Sequence, residues 1–156
     1  MNMTDISLQL FIMFLGIALG AGIYEARVVI PLWFFRSKGI YRINSENLLS
    51  IDSGRKFWGF ITTVPLTLLT ILNIILATRS TGDIHVWWLT AALITLLERL
   101  MTFLFFIPTI IKLQKGNLSE EVTGRKIFLW IRMNYLRNIL TLVAWILAMH
   151  AIMISS

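Results

Sequence analysis

The sequence predicts an all-α protein, an antiparallel bundle of four transmembrane helices, with residues 1–156 forming one integral membrane domain. Three observations carry that prediction. Hydrophobic residues make up 57% of the chain and charged residues 14%, with a mean hydropathy of +0.78, whereas a water-soluble domain carries about 25% charged residues. Four apolar runs reach the roughly 20 residues that a helix needs to cross a hydrocarbon core. The runs are continuous rather than alternating, which disfavours a barrel.

The first span is read over Leu8 to Phe35. Met1 to Ser7 carries Asp5 and no Lys or Arg, so the basic start of a cleavable signal is missing, and the apolar run outlasts a signal's hydrophobic region. Arg36 to Lys56 follows as a polar loop with room for a short interfacial helix around Ser45 to Ile51. The second span runs over Phe57 to Thr78, where Pro65 predicts a kink. "RSTGDIH", Arg79 to His85, is a tight turn that makes the second and third helices antiparallel neighbours. The third span covers Val86 to Ile111, and the fourth Ile127 to Ile154. Between them lies a polar loop, Lys112 to Lys126, broken by Gly116 and Gly124.

Basic residues fix the expected orientation. Arg36, Lys38, Arg42, Arg55 and Lys56 follow the first span, and Lys112, Lys115, Arg125 and Lys126 follow the third; the opposite side offers only Arg79. The positive-inside rule puts both basic loops in the cytoplasm and both termini on the non-cytoplasmic side, across the inner membrane if the source is bacterial. The net charge of +6 is therefore a topology signal, and no nucleic-acid partner is expected. The chain has no cysteine, which excludes disulfides, thiolate metal sites and cysteine nucleophiles.

Polar residues inside the spans are the candidates for function, because a charge in lipid costs at least ~2.5 kcal/mol and usually marks a site. Glu25 and Arg27 lie in the basic half of the first span, Glu98 and Arg99 near the middle of the third, and Asn134 and Arg137 in the basic half of the fourth. Trp130, Asn134, Arg137 and Thr141 share one helical face, as do Thr95, Glu98 and Thr102. Thr63, Thr67, Thr70 and Asn73 form a milder stripe on the second. Gly16, Gly20 and Gly22 permit close approach by the first. Four polar faces enclose a pocket in this reading. Arg137 stands between Glu25 and Glu98, Asn134 fills a remaining bond, and Arg99 need not join. Arg27 snorkels to the headgroups. The alternative stays open that these pairs only fix helix register.

Other motifs are less informative. Trp33, Trp58, Trp87 and Trp88 fit an interfacial aromatic belt, whereas Trp130 shares the polar face. Only His85 and His150 could ligate haem or a metal; no supporting carboxylates or HxxxH spacing accompany them, so neither a metal nor a cofactor is predicted.

"AGIYEARVVIPLW" in the first span and Trp130, Asn134 and Arg137 of "WIRMNYLRN" in the last resemble the anthrone-oxygenase-like family of small four-helix membrane proteins. The resemblance implies cofactor-independent oxidation of hydrophobic anthrones. Such chemistry needs a base, here Glu25 or Glu98. Arg137 and Asn134 would stabilise an enolate oxygen, with Trp130, Thr102 and Thr141 against the substrate. The expected partners are membrane lipids, a lipophilic ligand arriving from the inner leaflet, and a second copy of the chain. Two rival readings are a proton-coupled transporter like the small multidrug resistance proteins, and a non-catalytic subunit of a membrane complex.

Overall fold

Four helices long and apolar enough to cross a membrane run over Thr4–Trp33, Gly54–Arg79, Asp83–Gln114 and Glu120–Ile154. The protein is a multi-pass membrane protein. The computed structural model describes residues 3–155; Met1, Asn2 and Ser156 lie outside the described residues. The second and third spans extend beyond their apolar runs at both ends, and the fourth at its start, because polar flanking residues continue the helix. Asp83 and the Glu120–Glu121 pair occupy first turns, where a carboxylate complements the helix dipole. Gly82, at φ 77°, makes the sharp link between the second and third spans.

The first span departs from its expected end. Phe34 and Phe35 leave the helix and open a hairpin, β1 Phe34–Ser37 paired antiparallel with β2 Ile40–Ile43. Lys38 and Gly39 both have positive φ, 50° and 82°, as the tightest two-residue hairpin turn requires. Arg42 ties the hairpin to Glu120 at 2.5 Å. A Cβ on Gly124 would stand 2.9 Å from Ile40 Cγ2, so only glycine lets the fourth span pack this close. The interfacial helix falls where it is expected, at Ser45–Ile51, capped by Asn44, whose side chain accepts from the Asn47 amide at 3.1 Å. Asn47 Nδ2 in turn donates to the Leu32 carbonyl at 3.1 Å, anchoring this helix to the end of the first span.

Successive spans pack side by side and the fourth closes against the first. Their core has two layers. Away from the basic loops, Leu8, Phe11, Leu15 and Leu66 pack with the small residues Ala77, Ala91, Ala92, Ala144 and Ala148. Near the basic loops the core turns aromatic, with Trp33, Phe34, Phe106 and Trp130.

All three prolines of the chain share one local geometry. Pro31, Pro65 and Pro108 each follow a π-helical stretch, Glu25–Val29, Gly54–Thr63 and Thr102–Phe106. The residue before each proline donates five residues back: Ile30 to Glu25, Val64 to Gly59, Ile107 to Thr102. A proline has no N–H and its ring crowds the carbonyl four residues earlier; widening the turn accommodates both. The kink expected at Pro65 is thus one of three wide turns. The fourth span, without proline, runs unbroken over Glu120–Ser155.

Candidate active site

The wide turns surround a cavity of about 290 Å³ at the basic-loop end of the bundle. Each contributes to its wall: Glu25 from the first, Trp58 and Thr63 from the second, Thr102 and Phe106 from the third. A π-turn shifts the inward-facing residues away from simple α-periodicity, which is how such turns come to build sites.

Glu25 is the hub. One carboxylate oxygen accepts from Ser53 Oγ at 2.6 Å and Trp58 Nε1 at 2.8 Å; the other accepts from Arg137 Nη2 at 3.3 Å. The Arg137 guanidinium also lies over two aromatic rings, 4.6 Å from the centroid of Phe106 and 5.0 Å from that of Trp58, an added attraction of cation for π-face. The sequence pattern brings Glu25 and Arg137 together across 112 positions of chain. Glu25 and Arg27, two positions apart, point in different directions: the first is buried and the second exposed.

Glu98 does not complete that cluster. Its carboxylate is gripped by the neighbouring Arg99, with Nε at 2.5 Å, and accepts from Thr102 Oγ1 at 3.2 Å. The expected Glu25–Arg137–Glu98 triad is corrected to two separate pairs, and Arg99, expected to stand aside, is buried and lines the cavity. Adjacent residues ordinarily diverge on a helix, so the 98–99 pair has no signature in spacing.

Of the remaining candidates, Trp130, Thr102 and Arg137 line the cavity, whereas Glu98, Asn134 and Thr141 are buried outside its wall. Thr141 donates to the Arg137 carbonyl of its own helix at 3.0 Å. Among the described residues Asn134 has no partner on either side-chain atom. The threonine stripe of the second span is satisfied internally: Thr67 and Thr70 donate to carbonyls four residues back. Trp33 and Trp58, expected in the interfacial belt, are turned inward instead, and Ser53 carries no signal in the sequence that distinguishes it from other loop serines. His85 Nδ1 lies 2.8 Å from the Ala77 carbonyl, and His150 packs edge-on against Trp87, so the two histidines have separate neighbours.

Trp33 Nε1, Trp130 Nε1 and Arg99 Nη1 are buried without hydrogen-bond partners, and all three residues line the cavity. A buried donor left unpaired costs about 1–3 kcal/mol.

A family model described as anthrone oxygenase matches residues 50–147. The chain belongs to the anthrone oxygenase family. The match covers Trp58, Arg99, Thr102, Trp130, Asn134 and Arg137, while Glu25 and Trp33 precede it. No curated protein and no solved structure matches the chain.

Proposed function

We propose that this anthrone oxygenase family member binds a lipophilic aromatic ketone or phenol in the cavity and oxidises an activated methylene with dioxygen. The observation that carries the reading is the joint presence, in one cavity wall, of Glu25 and three residues, Trp33, Arg99 and Trp130, that each keep an unpartnered donor. A flat apolar ligand with oxygen acceptors suits a cavity whose wall includes Trp33, Phe106 and Trp130.

The chemistry follows from those groups. Glu25 takes a proton from the methylene, and the carbanion's charge spreads onto the ring oxygen held by Arg99 and the two indoles. One electron passes from the carbanion to dioxygen, and the two radicals combine to form the C–O bond. The proton returns to give a hydroperoxide. Loss of water, with the second methylene hydrogen, leaves a carbonyl: CH₂ + O₂ → C=O + H₂O. Ser53 and Trp58 hold the Glu25 carboxylate in place, and Arg137 neutralises it. With the basic loops in the cytoplasm, the cavity meets the inner leaflet, where a lipophilic substrate partitions.

The test is oxygen uptake by the purified protein in nanodiscs supplied with an anthrone. Uptake matched by quinone formation and abolished in Glu25→Gln is the expected result. Wild-type turnover no faster than spontaneous oxidation would overturn the reading.

A further inference from the structure

The outer face of the bundle carries a second feature, unrelated to the cavity. Between the first and fourth spans lies a groove of about 250 Å³, walled by Leu19, Ile23, Ile139 and Leu142 and closed at its basic end by Arg27 and Tyr135. The two helices touch closely beneath it. Asn138 Nδ2 donates to the Gly22 carbonyl at 3.1 Å, and a Cβ on Gly22 would stand 2.3 Å from Asn138 Oδ1.

Arg27 is exposed on this lipid-facing surface. Arg132, also exposed, precedes Tyr135 by three residues and so occupies the same face one turn nearer the basic loops. Arg132 leans over the Phe128 ring at 4.4 Å. Among the described residues neither arginine has an acidic partner: the ion pairs are Arg42–Glu120, Arg55–Asp52, Arg99–Glu98, Arg125–Glu121 and Arg137–Glu25. Glu25, nearest to Arg27 in sequence, is committed inward. Arg27 lies six residues before the end of its span at Trp33, about 9 Å along the axis. A guanidinium starting there reaches the phosphate level by extending along the helix.

We propose that Arg27 and Arg132 bind the headgroup phosphate of one anionic phospholipid, whose acyl chain lies in the groove. A guanidinium pairs with a phosphate through two parallel N–H bonds, and two of them favour a headgroup with no competing cation. The groove continues from the arginines toward the bilayer centre, the direction an acyl chain takes. The basic-loop side is also the side on which anionic lipid attracts basic residues.

Native mass spectrometry tests this on protein equilibrated with equal amounts of phosphatidylglycerol and phosphatidylcholine of matched chains. Retention of one phosphatidylglycerol with at least tenfold preference is expected. The Arg27→Gln/Arg132→Gln variant should lose that preference, and Lys112→Gln, at the basic end of the third span, should keep it. Ile139→Trp, which fills the groove without changing charge, should release the lipid and covers the case in which the double variant misfolds. Equal retention of both lipids, or a preference that survives the double variant, overturns the proposal. So does rapid crosslinking of Tyr135→Cys to a second copy in liposomes, since the groove would then face protein.

Discussion

Two asparagines, at opposite ends of the same bundle, are buried to the same degree and treated differently. Asn73 sits among the alanine-rich layer with every side-chain atom engaged: Trp88 Nε1 donates to it at 2.9 Å, and its amide donates to Ser7 Oγ at 3.1 Å and to the Leu69 carbonyl at 2.8 Å. Asn134 sits near the aromatic layer with neither atom engaged. The tryptophans repeat the contrast, since Trp88 has a partner and Trp33 and Trp130 have none. One end of the bundle is a finished core, where polar groups lock three helices together. The other keeps buried polar groups without partners among the described residues, beside a void.

That contrast can be broken by substitution. Glu25→Gln should have the largest effect, lowering turnover by about 10²–10⁴-fold, the usual worth of a positioned general base; oxygen uptake reads it. Asn73→Ala strikes the finished end and leaves the Trp88 N–H unpaired. It should cost about 2–3 kcal/mol of stability, visible as a lower thermal unfolding midpoint in detergent, with ligand affinity unchanged. Trp130→Phe should do the reverse. Removing one waiting donor should weaken ligand binding about five- to tenfold in a fluorescence titration, while the melting midpoint holds. The smallest effect is expected of Asn134→Leu, which replaces two unpaired polar atoms with carbon of similar volume. It should stabilise the protein by about 1 kcal/mol, and a loss instead would mean that Asn134 is bonded through water.

Much of this arrangement was legible in the residues, and the parts that were not have identifiable causes. The spans follow from hydropathy, and the interfacial helix from the polar stretch that contains Asn44 and Ser45. The Glu25–Arg137 pair follows from depth, because antiparallel helices bring those positions to one level. The hairpin is hidden by Phe34 and Phe35, which prolong the apolar run beyond the helix they terminate. Arg99 is hidden by adjacency to Glu98. Trp33 and Trp58 are hidden because the same residue type serves the membrane boundary and the cavity wall. The inward turn of Trp58 also depends on the π-geometry of Gly54–Thr63, and a 3.6-residue period does not describe that stretch.

The wide turns before Pro31, Pro65 and Pro108 have a consequence for how such a chain varies over time. Each holds at least one residue more than an α-helix of the same rise requires. A deletion inside one of them would return that turn to ordinary winding and leave both flanks of the helix where they stand, whereas a deletion elsewhere in a span would rotate everything beyond it. Three of the four spans thus carry a length reserve at the level of the cavity. The fourth span carries Trp130, Asn134 and Arg137 with no such reserve, so among descendants of this chain it is the helix whose length should change least.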